Sequence, residues 1–198
     1  MRKLIAAINM TLDGFCDHTS VIADEELHDH YTELIKNAGA ILYGRITYQL
    51  MEFWPEIVKN PTGNKSMDDF AVTIDNSLKI VFSRTLKNLE WKNSVLAKKN
   101  LKDEIIDLKQ QEGKNIFVGS PGLISQCTIL QLIDEYQLCI HPIIAGKGLP
   151  LFKNINEQVT LKLLRTKQFG SGAVVHYYKP VNNKNAKRDL ESEINTHN

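Results

Sequence analysis

Apolar positions along the chain follow two rhythms, continuous short runs and a helical repeat. The run at residues 4–8, Leu-Ile-Ala-Ala-Ile, predicts a strand buried on both faces of a sheet. It gives way to a polar, glycine-bearing loop, Asn9-Met10-Thr11-Leu12-Asp13-Gly14-Phe15. Asp24 then suits a helix N-cap, with Glu25 and Glu26 in the positive first turn. Leu27, Tyr31, Leu34, Ile35 and Ala38 recur at helical spacing, and Gly39 reads as the stop. Residues 40–43 form a second strand, ended by Gly44. A helix from Arg45 is expected to run to Phe53 or Trp54, where Pro55 halts it. Residues 56–65 read as loop, and 67–74 as a short helix. Strands follow at 79–82 and around 95–96. Leu101, Ile105, Ile106 and Leu108 mark a helix that ends near Gly113.

The stretch Ile116-Phe117-Val118-Gly119-Ser120-Pro121-Gly122-Leu123-Ile124-Ser125 reads as strand, tight turn, helix. Pro121 fits the first helical position, where a missing N–H costs nothing. Gly119 and Gly122 would let a bulky ligand approach the backbone, and a helix N-terminus favours a phosphate. An ordinary turn that holds nothing gives the same pattern, so both readings stay open. The helix continues to about Gln131, and a long strand is expected over 135–144. Two more strands, at 159–164 and 173–178, can form a hairpin through Phe169-Gly170-Ser171-Gly172. Beyond Pro180 the chain is polar and charged, which predicts a disordered tail over 181–198. Strands and helices alternate first and strands dominate at the end. The expected class is therefore α/β, a single domain over 1–180 with a largely parallel, helix-flanked sheet and an antiparallel C-terminal edge.

Composition narrows the function. The 198 residues carry a formal net charge of +1, so no basic excess exists to drive nucleic-acid or membrane-surface binding. Cys16, Cys127 and Cys139 show no metal-ligand spacing, so no metal is expected and free thiols in a reducing cytoplasm are the default. The N-terminal apolar run is too short for a signal peptide or a membrane span.

Three strand ends share one character: Gly44-Arg45-Ile46-Thr47-Tyr48, Phe82-Ser83-Arg84-Thr85 and Gly119-Ser120-Pro121-Gly122. In open α/β sheets ligands gather outside the carboxyl ends of strands. Helix N-termini would serve a diphosphate there and paired arginines a further phosphate. Two arginines favour NADP over NAD.

Together with Ala6-Ala7 and Leu12-Asp13-Gly14, these segments resemble the dihydrofolate reductase fold. His141-Pro142-Ile143-Ile144-Ala145-Gly146-Lys147-Gly148-Leu149-Pro150-Leu151-Phe152 resembles the signature of the RibD C-terminal family, the riboflavin-biosynthesis reductase domain that shares that fold. The resemblance covers roughly Met1 to Pro180 and identifies the chain as a stand-alone member. It implies a mixed, mostly parallel sheet of about eight strands, NADPH as hydride donor, a small-molecule substrate and a homodimer. Ala7 would lie by the nicotinamide. Arg45, Ser83 and Arg84 would hold the 2′-phosphate end. Gly44, Ile46 and Thr47, with Gly119, Ser120, Pro121, Gly122, Leu123 and Ile124, would hold the diphosphate.

The implied activity is hydride transfer to a planar heterocycle, as in 5-amino-6-(5-phosphoribosylamino)uracil reductase. An NADP-binding protein without turnover and a divergent dihydrofolate reductase are the alternatives. Ser120 stands where the family usually has a second glycine, and Val118 where riboflavin-pathway reductases carry a glutamate. His28 falls at the position of the pterin-binding acid. Asp13, Glu26 and Asp29 are the candidate proton-donor residues. Tyr48, Phe53 and Trp54 could form an apolar wall for the ring, although helical spacing also suits them to the core.

Overall fold

The computed structural model describes residues 1–16 and 23–181. The expected tail lies outside the described residues beyond Val181. The strands are β1 (Leu4–Thr11), β2 (Ala38–Gly44), β3 (Lys79–Phe82), β4 (Ser94–Leu96), β5 (Asn115–Val118), β6 (Glu135–His141), β7 (Leu161–Gln168) and β8 (Val174–Pro180). They form one eight-stranded sheet in the order β4-β3-β2-β5-β1-β6-β8-β7. Strands β4 to β6 pair in parallel, and β8 pairs antiparallel with both β6 and β7. The expected mixed sheet with an antiparallel C-terminal edge is the observed one.

The apolar run that predicted β1 becomes its central strand, flanked by β5 and β6 and buried everywhere except at Asn9. Its alternate residues feed two cores. Ala6, Ile8 and Met10 pack with α5 (Leu101–Gln110) and α6 (Pro121–Ile129) on one face. Ala7 packs on the other face with Ile35 of α1 (Glu25–Lys36) and Phe70 and Ile74 of α4 (Lys65–Asn76). Three of the helices start where a side chain caps them. The side chains of Asp24, Asn64 and Asn100 accept the N–H of Leu27, Met67 and Asp103, satisfying donors that no carbonyl reaches.

Several boundaries differ from the sequence reading. Helix α1 ends at Lys36 with Asn37 as its C-cap, and Gly39 lies inside β2. There a Cβ would stand 2.7 Å from the Arg2 guanidinium and 3.1 Å from the Lys114 carbonyl, so packing, not a helix stop, requires the glycine. The helix from Arg45 stops at Met51, forming α2 (Arg45–Met51), and Pro55 opens α3 (Trp54–Lys59) instead of closing α2. Proline is favoured in a first turn, so part of the expected loop at 56–65 is helical. Strand β6 ends at His141, before Pro142, and β7 runs four residues past its expected end at 164.

Candidate functional site

Because β3, β2, β5, β1 and β6 are adjacent and parallel, the loops after Phe82, Gly44, Val118, Thr11 and His141 leave from one rim. Two are tied directly: the Gly44 N–H donates to Ser120 Oγ at 2.9 Å. Ser120 is 2 % exposed and has φ −97°, a conformation open to any residue. The serine in place of the family's second glycine is therefore a brace between turns. Gly119 cannot change so freely, since a Cβ would meet Phe117 Cζ at 2.9 Å and the Ala7 carbonyl at 3.5 Å. A Cβ on Gly122 would meet nothing within 4 Å, so the first turn of α6 opens onto free space. Its leading N–H groups have no carbonyl one turn back to bond. Leu123 and Ile124 are buried in the core, so only their backbone could face a ligand.

Arg45, on the second of these loops, is exposed, and its Nη1 donates to Gln49 Oε1 at 3.0 Å. Ile46 is exposed and Thr47 half-buried. Ser83 Oγ accepts the N–H of Thr85 at 3.1 Å and of Leu86 at 2.9 Å. This turn sets the path of the loop that carries the exposed Arg84. Ala7 is buried, with its carbonyl beside the Gly119 turn. The topology thus brings the predicted cofactor-side residues onto neighbouring strand ends.

The substrate side needs correction. Tyr48 is 1 % exposed, and its hydroxyl accepts the Trp91 N–H at 3.2 Å, so it belongs to the core and walls no pocket. Trp54 and Phe53 do offer surface: Phe53 is 53 % exposed. Trp54 packs edge-on against Phe70 at 4.5 Å, Phe53 at 5.6 Å and His28 at 6.1 Å between ring centroids. Burial lowers the pKa of His28, keeping its ring neutral despite Asp24 and Asp29 nearby.

Two of the three predicted acids also have other employment. Asp13 accepts from Thr11 Oγ1 at 2.6 Å, from Ala145 N at 3.1 Å and from Gly146 N at 2.7 Å. Chiefly through the Thr11 bond its pKa falls to about 2, so here it is an ionised staple between two rim loops. Glu26 accepts the Gly170 N–H at 2.6 Å and fastens α1 to the β7–β8 turn. Asp29 is exposed on α1; it is Asp69 that chiefly raises the pKa of Lys65 on α4, with Asp29 adding a little.

Sequence reasoning passed over a neighbouring cluster. His141 is 1 % exposed, and its Nε2 lies 3.1 Å from Asn9 Oδ1 and 3.7 Å from Cys139 Sγ. The available signal was Asn9, the polar break in an otherwise apolar central strand. A cavity of about 320 Å³, lined by Thr128, Tyr136, Phe152 and Leu161 among others, includes none of the rim residues. Among the described residues no cluster of His, Cys, Asp and Glu could hold a metal.

With this geometry in place, the family model of the RibD C-terminal domain matches residues 2–175. The chain belongs to the RibD C-terminal domain family. The uncharacterized protein YyaP of Bacillus subtilis (strain 168) is 30% identical over 181 residues, covering 89% of this chain and 94% of that one. The fold is shared with a protein named for riboflavin biosynthesis from Shewanella sp. PV-4. There the TM-score is 0.69 and the identity 17%, over 91% of this chain and 99% of that one. It is also shared with a Thermotoga maritima diaminohydroxyphosphoribosylaminopyrimidine deaminase/5-amino-6-(5-phosphoribosylamino)uracil reductase. In that case the TM-score is 0.63 and the identity 20%, over 91% of this chain and 57% of that one. No described helix of this RibD C-terminal family member is long and apolar enough to cross a membrane.

Proposed function

We propose that this protein is an NADPH-dependent cytoplasmic reductase that transfers a hydride to a small planar heterocycle. Its substrate would resemble that of 5-amino-6-(5-phosphoribosylamino)uracil reductase. The observation that carries the reading is the convergence of the Gly44, Phe82 and Val118 loops on adjacent strand ends, two of them tied by the Ser120–Gly44 bond.

The residues fit the coenzyme. The open first turn of α6 at Gly122 suits a diphosphate. Arg45 and Arg84 offer exposed guanidinium groups for a 2′-phosphate. Ser83 already accepts two N–H groups, so its hydroxyl proton is the donor it could turn from Thr85 Oγ1, 3.4 Å away, toward a phosphate. The cramped Gly119 and Ala7 backbones would set how closely the nicotinamide approaches the sheet. Bound NADPH supplies the hydride; the protein binds, orients and excludes water. Dihydrofolate is the less fitting substrate, because Asp13 and Glu26 are placed for other work and Asp29 is exposed.

Fluorescence titration with NADPH and NADH tests the assignment. Arg45→Ala and Arg84→Ala should each weaken NADPH by about tenfold or more, the worth of a charge-assisted hydrogen bond. NADH, which lacks the extra phosphate, should bind unchanged. Equal losses for the two coenzymes would refute the arginine assignment, and no affinity for NADPH would refute the function. Turnover is read separately, as NADPH oxidation with ring carbonyl and imine substrates.

A further inference from the structure

Asn9 is the one residue of β1 that is not buried. It lies two positions beyond Ala7, on the same face as α1, and its partner across the β1–β6 pairing is Cys139, which packs against Leu27 of α1. An opening at the end of the central strand therefore exposes a side-chain amide. That amide is not free to turn. His141 Nε2 sits 3.1 Å from Asn9 Oδ1, and an amide oxygen only accepts, so Nε2 carries the proton and donates. Burial lowers the pKa of His141, although Asp24 opposes the shift, so the ring is neutral and its one N–H fixes the direction of the bond. With its oxygen engaged by His141, the half-buried Asn9 has the two donors of its Nδ2 amino group left to offer.

Among the described residues no carboxylate around this opening is left free. Asp24 is spent on the Leu27 N–H, Glu25 on Asn64, Glu26 on Gly170 and Asp13 on Thr11, Ala145 and Gly146. Without a free carboxylate, a ring amidine would bring N–H donors against N–H donors and leave both unpaired, which is costly where water is excluded. A carbonyl oxygen would complete the set.

We propose that Asn9, oriented by the buried His141, is a specificity-determining residue that hydrogen-bonds a carbonyl oxygen of the bound heterocycle and turns away amidine-bearing rings. This rests on reading the rim as a reductase cleft. His141 is then a positioning residue that acts through Asn9.

Two isosteric probes decide it: lumazine, with two ring carbonyls, and 2,4-diaminopteridine, with amino groups in their place. Both are titrated into the full chain with and without NADPH. Wild-type protein should favour lumazine by about tenfold or more. Asn9→Asp should reverse the preference, because a carboxylate accepts from the amidine. His141→Gln, which keeps a donor, should retain the preference, and His141→Phe should erase it. These ratios report recognition even where a variant loses stability. Failure to bind either ring, equal binding of the two, or an unchanged ratio in Asn9→Asp would overturn the proposal. Loss of NADPH affinity is a separate readout, which sinks the reductase reading while the ring ratio still judges Asn9.

Discussion

His30 shows how the fold sets the protonation of a single residue. Its ring is packed against Tyr31, Phe169 and Tyr177 at centroid distances of 5.4, 5.5 and 6.4 Å. Burial, seconded by Lys167 and Arg165, lowers its pKa from 6.5 to about 4. The unfolded chain takes up that proton near 6.5, and the folded chain only near 4. Between those values the unfolded state holds more protons, so stability rises with pH through the window and is lost as pH falls from about 6.5 to about 4. The loss attributable to His30 is on the order of 2 kcal/mol. Denaturant unfolding across that range should therefore show a shallower acid slope in His30→Phe than in wild type, and identical slopes would contradict the assignment. At this scale the sequence spoke unevenly. The positions of Ser120, Arg45 and Arg84 at strand ends were legible, because polar or glycine-bearing turns after apolar runs mark where strands stop. The true partners of Asp13 and Glu26 were not, because Gly146 and Gly170 are brought to them only by tertiary folding. Tyr48 was ambiguous for the same reason, since helical spacing cannot say which neighbour, Trp91 or a ligand, will cover a ring.

Among the elements, α4 and β3 are joined by a buried lysine. Lys79 opens β3 at 0 % exposure and donates to the carbonyls of Ile74, Asp75 and Ser77 at 3.0, 3.1 and 2.8 Å. Its Nζ also lies 4.2 Å from the Trp91 ring centroid. These carbonyls terminate α4, where orphan acceptors and the negative end of the helix dipole both call for a cation. Burial pulls its pKa down to about 8, so the ammonium persists at neutral pH. Trp91 Nε1 in turn donates to Asp75 at 2.8 Å, which anchors the far end of the segment that begins with Ser83 and Arg84. Lys79→Met would preserve the packed stem but withdraw the ammonium from three carbonyls, leaving that of Ser77 without its donor while Ile74 and Asp75 keep only long bonds from Ser77 N and Asn93 Nδ2, at a cost of about 3 kcal/mol. A thermal or denaturant midpoint equal to wild type would show that the lysine is not the joint. Helix α3 marks a limit of element reading. Pro55 was taken as a stop because proline forbids a continuing helix, yet proline in a first turn begins one equally well. Edge strand β7 was misplaced because it is exposed along nearly its whole length and carries no two-residue alternation to read.

For the whole molecule, the fold was legible because β1, β2, β3 and β5 are buried apolar runs separated by capped helices, a pattern that leaves few topologies. The site was half legible: strand-end loops declare themselves by glycine and arginine, whereas the Asn9–His141 pair exists only because β1 and β6 are neighbours. The sheet's outer edge bears on assembly. Among the described residues β7 has no strand beyond it, and Leu163 and Leu164 are 50% and 47% exposed. On the α6 face the cavity beside Tyr136 and Leu161 ends at Phe152, itself 42% exposed. Lys162, Arg165 and Lys167 interrupt the strand, but Arg165 is stacked 3.5 Å over Tyr177 and Lys167 lies 4.9 Å over Phe169. Their charge is drawn to the α1 side. An apolar edge left on the opposite side suits a second copy of the chain, in keeping with the homodimer proposed from the family resemblance. Sedimentation velocity should give a dimer for wild type and a monomer for the Leu163→Lys, Leu164→Lys double variant, with NADPH affinity equal in both. A wild-type monomer would refute the dimer, and a double variant that stays dimeric would move its interface away from β7.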